Sequence, residues 1–332
     1  MPCPAPLIVS LGDPAGIGPE IIGQAWDSLR HDGPVFAVAG DSDLLECLGF
    51  PVRVLTDIGE ALDVFPTSLP VLHSPVGTKV SAGKPDPSAA PAIIGWIRDA
   101  TLLCLSGKAA GLVTAPIAKA NLYSAGFAYP GHTEYLGFLT SQAPHEGARG
   151  PVMMLAVEGL RTTLVTIHQP LADVPASLSR DRIIHAGLVT AQALKRDFGI
   201  SNPRIAVAGL NPHAGENGTI GREEIDLIAP AIAQLKTLGV NASGPYPADS
   251  LFTTDHRQTY DAAVCMYHDQ ALIPVKMLDF WGGVNVSLGL PVVRTSPDHG
   301  TAFNIAGTGT ARPASMIAAI RMARAIADCR SR

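Results

Sequence analysis

The feature that most constrains the fold is a regular alternation of short apolar runs and longer amphipathic stretches along nearly all 332 residues. Short apolar runs are typical of buried strands, whereas apolar residues recurring every three or four positions are typical of helices. Their alternation predicts an α/β fold with a largely parallel sheet. Strands are predicted at 6–11, 35–39, 111–114, 153–157, 162–167, 204–210 and 262–267, and helices at 18–29, 89–105, 179–198, 223–238 and 314–327.

Charge and composition exclude several classes of partner and compartment. The net charge of −5 argues against nucleic acid or an anionic membrane as the main partner. No uninterrupted apolar run approaches ~20 residues, so no membrane span is expected. The start, Met1-Pro2-Cys3-Pro4, lacks the basic and apolar regions of a signal peptide. The scattered cysteines without a CxxC pair favour reduced thiols and a cytoplasmic protein. These cysteines are Cys3, Cys47, Cys104, Cys265 and Cys329.

The loop between the first predicted strand and helix, Gly12–Glu20, is rich in glycine. In open α/β sheets ligands bind beyond the carboxyl ends of strands, so such loops carry information about function. The glycine order is GxxxGxG, which is not the GxGxxG dinucleotide fingerprint. Two interpretations remain open: a tight turn that needs positive φ angles, or a flexible lip over a ligand.

Three histidines follow predicted strands: His168, His213 and His268. Each alone is typical of a surface or hydrogen-bonded histidine, but three at equivalent strand ends predict a shared divalent-metal site. Asp249 and Asp269 are candidates to orient an imidazole or to add an oxygen ligand. The other histidines have no such context and are interpreted as structural. They are His31, His73, His145, His185 and His256.

A second set of residues is suited to binding an anion, which an acidic protein must hold with local cations. His132 and Thr133 precede a predicted helix, where they could donate to a phosphate; alternatively, Thr133 caps that helix. Lys276 and Arg294 lie in apolar sequence, which favours a pocket over a solvated face. Asn285 is a candidate for the same pocket. By contrast, Cys265 lies within an apolar strand and is predicted to be core.

Taken in order, six segments resemble the family of 4-hydroxythreonine-4-phosphate dehydrogenases of the pyridoxal phosphate pathway. Each motif alone is weak, but their order along nearly the whole chain is specific. The segments are Gly12-Asp-Pro-Ala-Gly-Ile-Gly-Pro-Glu20, Thr114-Ala-Pro-Ile-Ala-Lys119, Gly131-His-Thr-Glu134, Gly209-Leu-Asn-Pro-His-Ala-Gly-Glu216, Tyr267-His-Asp-Gln-Ala-Leu-Ile-Pro-Val-Lys276 and Arg294–Gly300.

The resemblance implies the fold of isocitrate and isopropylmalate dehydrogenases, with two α/β domains flanking a central cleft. It implies a discontinuous first domain, 1–128 plus 290–332, on the nicotinamide-cofactor side. The second, 129–289, would carry the metal ligands and the dimer contacts. Family members are homodimers with the active site near the subunit interface.

The resemblance also implies roles for particular residues. His168, His213 and His268 match the family's ligands for zinc, magnesium or cobalt. The matching substrate contacts are His132, Thr133, Lys276, Asn285 and Arg294.

The stretch Asp298–Gly307 resembles the nicotinamide-cofactor loop of the wider superfamily, with His299, Gly300 and Asn304 as candidate contacts. Asn304 stands where isopropylmalate dehydrogenases carry aspartate, so NAD and NADP both remain open. A second departure is Ala118, where many relatives have asparagine; an alanine side chain cannot make the local hydrogen bond that asparagine could.

The implied reaction is oxidation of the secondary hydroxyl of 4-phosphooxy-L-threonine by NAD or NADP, followed by decarboxylation to 3-amino-2-oxopropyl phosphate. A metal at the hydroxyl oxygen would favour hydride loss and stabilise the enolate formed as carbon dioxide leaves. Asp249 and Asp269 are the candidates for accepting the hydroxyl proton. Three alternatives remain open: a His₃ metallohydrolase for phosphate esters, a non-catalytic metabolite-binding protein, and a sister dehydrogenase for phosphorylated threonate or erythronate.

Overall fold

The computed structural model describes residues 5–129 and 131–332. The segment Met1–Pro4, on which the signal-peptide argument and Cys3 fall, lies outside the described residues, as does Pro130. The chain divides into two compact α/β units. The first unit comprises the chain up to Pro144 together with Leu290–Ser331, and the second unit is His145–Gly289.

The elements alternate along the chain as the sequence predicts. The strands are β1 (Leu7–Ser10), β2 (Phe36–Gly40), β3 (Val52–Val54), β4 (Leu69–His73), β5 (Leu112–Thr114), β6 (Val152–Val157), β7 (Leu160–Leu164), β8 (Arg204–Ala208), β9 (Asn241–Tyr246), β10 (Ala262–Cys265), β11 (Val284–Leu288) and β12 (Arg294–Pro297). The α-helices are α1 (Gly18–Leu29), α2 (Ser42–Cys47), α3 (Ala61–Val64), α4 (Ala90–Leu105), α5 (Lys119–Ser124), α6 (His132–Leu139), α7 (Val174–Ser177), α8 (Arg180–Arg196), α9 (Ala229–Thr237), α10 (Ala248–Leu251), α11 (Thr254–Arg257), α12 (His268–Leu278) and α13 (Ala314–Arg330).

In the first unit the strands pair in the order β3-β4-β2-β1-β5-β12, and every pairing is parallel. The central strand β1 is an unbroken apolar run, and Leu7, Ile8 and Val9 are fully buried. Such runs are typical of parallel strands covered on both faces, which explains why β1 shows no alternation of apolar and polar residues. Helices α4 and α13 pack on this sheet.

The helical stretch Pro87–Leu105 has the length and apolar composition of a membrane span, unlike any other helix in the described part of the chain. Its α-helical part, α4, packs on β1, β2 and β5. The side chains of Ile93, Trp96 and Ile97 are at most 2% exposed. The Trp96 indole N–H donates to the Ser74 carbonyl at 3.0 Å. These contacts show that the apolar face of α4 belongs to the core of the first unit.

In the second unit the order is β11-β6-β7-β10-β8-β9. The predicted pairing of the strands at 153–157 and 162–167 is confirmed as the antiparallel hairpin β6-β7, and β11 is antiparallel to β6. The strands β7, β10, β8 and β9 are mutually parallel. Cys265 is fully buried in the core beneath α12, as its apolar surroundings predict.

The α/β prediction is therefore confirmed, and the structure adds details that the pattern did not contain. The predicted helix at 223–238 opens with a π-helical turn, Glu224–Ile228, before α9. The boundary between the units also differs from the expected one, because residues 131–144 belong to the first unit. There α6 contacts α4, and the Tyr135 ring lies 5.1 Å from that of Phe127.

Helix α4 offers a matched pair of substitutions that tests its place in the core. We expect Ile97→Ala to lower the free energy of unfolding by about 2–5 kcal/mol, because it opens a cavity at a side chain that is 1% exposed. Leu102→Ala on the same helix, at 51% exposure, should cost less than about 1 kcal/mol. Urea unfolding of both variants measures the difference. Equal losses would contradict the packing described for α4.

Candidate active site

Two of the predicted metal-binding histidines lie together at one edge of the second unit's sheet. Because β7 and β10 pair in parallel, their carboxyl ends meet at this edge. His168 follows β7, His268 is the first residue of α12 after β10, and their ring centroids are 5.5 Å apart. They share a cavity of about 310 Å³. The cavity is lined by Ile167, His168, Gln169, Leu171, Val174, Tyr267, His268 and Asp269.

Of the two candidate aspartates, one lies in this cavity. Asp269 lines it, with one carboxylate oxygen 2.8 Å from Nδ1 of His268. This contact restrains the imidazole, as the sequence analysis expected for a carboxylate beside a histidine. Asp249 is exposed on α10 and is not among the residues that line the cavity.

The third histidine, His213, follows β8, which is parallel to β10. It does not complete a compact set within one chain. In the part of the chain that the structure describes, no group of three potential ligand atoms within 4.8 Å of one another includes His213. Within the described residues, His168 and His268 are therefore close together, but the three histidines do not form one closed cluster of ligand atoms.

His213 lies in a turn with unusual backbone geometry. Five successive residues, from His213 to Asn217, have φ angles between 45° and 79°. Only Gly215 adopts this left-handed region without cost, and each of the other four is strained by roughly 1 kcal/mol or more. A side chain at Gly215 would also bring its Cβ to 2.6 Å from Oε2 of Glu224. The turn must therefore be held by contacts outside itself.

Glu224, which no sequence motif marked as functional, supplies those contacts. Its carboxylate is 3% exposed and accepts the backbone N–H groups of Leu210 and Asn211, both at 2.7 Å. The side-chain amide of Asn211 donates to Glu224 as well, at 2.9 Å, and to Glu223 at 2.7 Å. The sequence signal that could have pointed to Glu224 is the acidic pair Glu223-Glu224 at the start of a predicted amphipathic helix. The burial of Glu224 became visible only in the structure.

The remaining two candidates of the second unit lie on other elements. Lys276 is on α12, two turns after His268, with Nζ 5.2 Å from the centroid of the Phe280 ring. Asn285 is on β11, where its backbone pairs with Leu155. The buried Oδ1 of Asn285 has no hydrogen-bond partner among the described residues. Neither residue lines the histidine cavity.

In the first unit, the half-buried His132 and the buried Arg294 form a polar cluster. Arg294 opens β12, is 3% exposed, and donates to the Thr114 hydroxyl at 2.7 Å. Burial lowers the pKa of Arg294 to about 10, which Glu134 partly offsets, so the guanidinium stays charged at neutral pH. Burial, and then the charges of Arg294 and Lys119, hold the pKa of His132 well below its ordinary value. Its imidazole is therefore neutral.

His132 also carries a polar atom suited to a ligand. Its Nε2 is buried and makes no hydrogen bond within the described parts of the chain. Helix α6 begins at His132 with Gly131 as the N-cap, so the alternative that Thr133 caps this helix is wrong. The cluster also contains Lys119, a cation that sequence pattern alone did not single out. A Cβ added at Gly131 would lie 3.3 Å from Nζ of Lys119.

The predicted cofactor loop folds against the glycine-rich loop after β1. Thr301 accepts the N–H of Ile17 at 3.0 Å, and the N–H of Gly307 donates to Glu20 at 2.6 Å. Gly16 is required here, because a Cβ at that position would lie 2.9 Å from the Thr301 carbonyl oxygen. This favours a tight, packed turn over a free lip. The candidate contacts His299, Gly300 and Asn304 are all exposed on the predicted cofactor loop.

A different set of potential metal ligands lies at the ends of β2 and β4. Donor atoms of Asp41, Asp43 and His73 fall within 4.8 Å of one another. Asp41 caps α2 by accepting the N–H of Asp43 at 3.0 Å, and it also accepts that of Val76 at 2.8 Å. Nδ1 of His73 lies 2.7 Å from the Ser42 hydroxyl. These bonds fit the structural role that the sequence analysis gave His73.

Comparison with known proteins decides the family. A sequence model described as "Pyridoxal phosphate biosynthetic protein PdxA" matches residues 36–323. The chain belongs to the PdxA family. It is 63% identical over 324 residues to the 4-hydroxythreonine-4-phosphate dehydrogenase of Caulobacter vibrioides, with 97% of both chains covered.

Solved structures agree with this placement in the PdxA family. A crystal structure of 4-hydroxythreonine-4-phosphate dehydrogenase from Klebsiella pneumoniae matches with a TM-score of 0.85 and 39% identity, over 97% of this chain and 98% of that one. A terephthalate 1,2-cis-dihydrodiol dehydrogenase from Burkholderia xenovorans matches with a TM-score of 0.65 and 28% identity, over the same shares. The predicted family, and with it an oxidoreductase of pyridoxal phosphate biosynthesis, is confirmed.

The adjacent glutamates at 223 and 224 test how the strained turn is held. We expect Glu224→Ala to lower the free energy of unfolding by about 2–4 kcal/mol, because two N–H groups bound to a buried carboxylate lose their acceptor. Glu223→Ala loses only the contact with the Asn211 side chain and should cost about 1 kcal/mol or less. Amide hydrogen exchange at Leu210 and Asn211 should accelerate in the first variant alone; unchanged exchange there would refute this role for Glu224.

Proposed function

We propose that this protein oxidises the secondary hydroxyl of 4-phosphooxy-L-threonine with NAD or NADP and then releases carbon dioxide, forming 3-amino-2-oxopropyl phosphate. The observation that carries the proposal is the 63% identity, across 97% of both chains, with a relative named 4-hydroxythreonine-4-phosphate dehydrogenase. The polar groups described above are of the types that this chemistry requires.

A divalent metal fits the donor groups of the histidine cavity. The rings of His168 and His268 lie 5.5 Å apart, and imidazole nitrogens are common ligands of zinc and cobalt. With Nδ1 of His268 donating to Asp269, Nε2 keeps its lone pair for a metal. His168, His213 and His268 would hold the ion. When bound, it would lower the pKa of the substrate hydroxyl and stabilise the negative charge that develops during decarboxylation.

The anionic ends of the substrate require cations and hydrogen-bond donors. Arg294 is a buried, charged guanidinium that Thr114 already orients, so little entropy is lost when it binds a phosphate or carboxylate. The neutral His132 and the hydroxyl of Thr133 complete this group as hydrogen-bonding partners. Lys276 and Asn285 are proposed as the contacts from the second unit, and the buried Oδ1 of Asn285 suits the substrate amine.

The hydroxyl proton and the hydride need separate acceptors. Of the two aspartates, Asp269 is the better candidate for accepting the proton, directly or through water, because it lines the histidine cavity. Asp249 would serve only if a second chain or a movement brings it there. The hydride would pass to a nicotinamide held at His299, Gly300 and Asn304.

A homodimer would complete the site. Since the described residues of one chain do not bring the three histidines into one compact group of ligand atoms, a second subunit is the simplest source of the remaining ligand. We infer an isologous dimer with two composite sites. The cytoplasm is the proposed compartment, which suits a chain whose described cysteines are all free.

Turnover of two substrates with two coenzymes tests the proposal as a whole. Purified protein should reduce NAD or NADP with 4-phosphooxy-L-threonine and act far more slowly on 4-phosphothreonate, which lacks the amine. Preference for phosphothreonate would indicate a sister dehydrogenase. Release of phosphate without nicotinamide reduction would indicate a metallohydrolase, and ligand binding without turnover would indicate a binding protein.

Removal of metal tests the role of the histidines. We expect chelation to abolish turnover and zinc, cobalt or magnesium to restore it. His168→Ala should weaken metal binding at least about tenfold, measured as bound metal after equilibrium dialysis. His31→Ala changes an exposed histidine of the first unit and should bind metal like the unaltered protein. Full turnover by demonstrably metal-free protein would refute the metal-dependent mechanism.

Complementation tests the composite site. His268→Ala and His132→Ala should each be inactive alone, and their mixture should regain activity if the two residues act at one site from different chains. Random mixing makes about half of the dimers mixed, each with one intact site, so activity should return to about a quarter of the unaltered level. Continued inactivity, with mixed dimers confirmed by mass spectrometry, would argue against shared sites for this pair.

A further inference from the structure

A second cavity lies at the opposite end of the strands that carry His168 and His268. It is formed at the amino-terminal ends of β7, β8 and β10, and its volume is about 420 Å³. The lining residues are Gly159, Leu160, Arg161, Arg204, Thr254, Arg257, Gln258, Tyr260 and Asp261. Three guanidinium groups therefore share a concave site with a single carboxylate.

That carboxylate is already paired. Arg204 contacts both oxygens of Asp261, through Nη2 at 3.0 Å and Nε at 3.2 Å, and the Arg204 backbone N–H donates to it at 2.7 Å. Burial alone would raise the pKa of Asp261, but these hydrogen bonds hold it below its ordinary value. Asp261 is therefore ionised, and its charge offsets that of Arg204.

Within the described part of the chain, neither of the other two guanidinium groups donates a hydrogen bond to a carboxylate, although Asp261 also attracts Arg161 electrostatically. Arg161 donates to the backbone carbonyl of Asp261 at 3.2 Å and stacks on the Phe198 ring, 4.9 Å from its centroid. The hydrogen bond that Arg257 makes among the described residues is to the Thr254 hydroxyl, at 3.4 Å. Nε of Arg257 is buried and has no partner within the same described residues. Two positive charges thus remain for a ligand to neutralise.

We propose that this cavity is a binding site for a small phosphorylated metabolite, with the phosphate dianion held by Arg161 and Arg257. Guanidinium groups bind phosphate oxygens through paired, charge-assisted hydrogen bonds. A phosphate dianion matches the two uncompensated charges, and the volume of about 420 Å³ leaves space for an attached organic group. The chain as a whole has a net charge of −5, whereas three arginines and one aspartate make this cavity locally positive.

The site is separate from the proposed active site and does not depend on it. The carboxyl ends of β7 and β10 lead to His168 and His268, whereas their amino ends border the arginine cavity. Arg294, the cation proposed to bind the substrate, belongs to the other unit. Occupation of the cavity is therefore expected to be compatible with an occupied active site.

Titration with glycerol 3-phosphate, with glycerol as the uncharged control, tests this site. The measurement is ³¹P NMR on metal-free protein. Arg257→Gln should weaken binding at the cavity by about tenfold or more, since charge-assisted hydrogen bonds are lost. Arg98→Gln removes an exposed arginine of the first unit and should leave binding unchanged. Arg294→Gln should also retain this binding, which separates the cavity from the proposed substrate site.

Two further results decide the matter if Arg257→Gln is poorly folded. Arg257→Lys keeps the charge but loses the planar fork, and it should weaken binding to an intermediate degree. Crystals of the unaltered protein soaked in tungstate should show anomalous density between Arg161 and Arg257. Glycerol 3-phosphate binding equal in the unaltered protein and in folded Arg257 variants would overturn the proposal. Crystals in which a neighbouring subunit's carboxylate fills the cavity would do the same.

Discussion

Parallel pairing of β7, β10 and β8 is the constraint on which the candidate site depends. Parallel strands place all their carboxyl ends at one edge, so residues separated by 100 positions in sequence become neighbours in space. His168 and His268 are the direct result, with ring centroids 5.5 Å apart. The same pairing gathers the amino ends of these strands at the other edge, where three arginines surround the second cavity. One backbone arrangement thus produces two chemically different sites in a single unit.

Burial governs the charge states of the polar cluster in the first unit. The protein carries a net negative charge, yet Arg294 is 3% exposed and remains protonated because its lowered pKa, about 10, is still well above neutral. The same desolvation keeps His132 neutral beside it. A fixed cation next to a neutral hydrogen-bonding imidazole is an arrangement suited to an anionic ligand, since it offers charge without repulsion between the two binding groups. Arg294 is also oriented by Thr114, which is distant in sequence but lies beside it because β5 and β12 are parallel neighbours.

The turn after β8 shows how backbone strain is sustained near a candidate ligand. Four residues other than glycine, including His213, occupy left-handed φ angles there. The buried Glu224 stabilises the entry to this turn with three hydrogen bonds to Leu210 and Asn211. Its own desolvation is offset by those bonds, which is the usual condition for burying a carboxylate.

The sequence by itself determined the α/β class, most element positions and the family, because apolar periodicity and ordered motifs are local properties of the chain. It also identified the three strand-end histidines and the buried Cys265. Only the tertiary structure decided which of these residues are neighbours: His168 lies beside His268, and His132 beside Arg294. Glu224 and the arginine cavity were invisible to pattern analysis, because burial of a carboxylate and an excess of cations in a cavity arise from contacts distant in sequence. Local pattern selects the elements, whereas strand order and burial select their neighbours and hence their charge states.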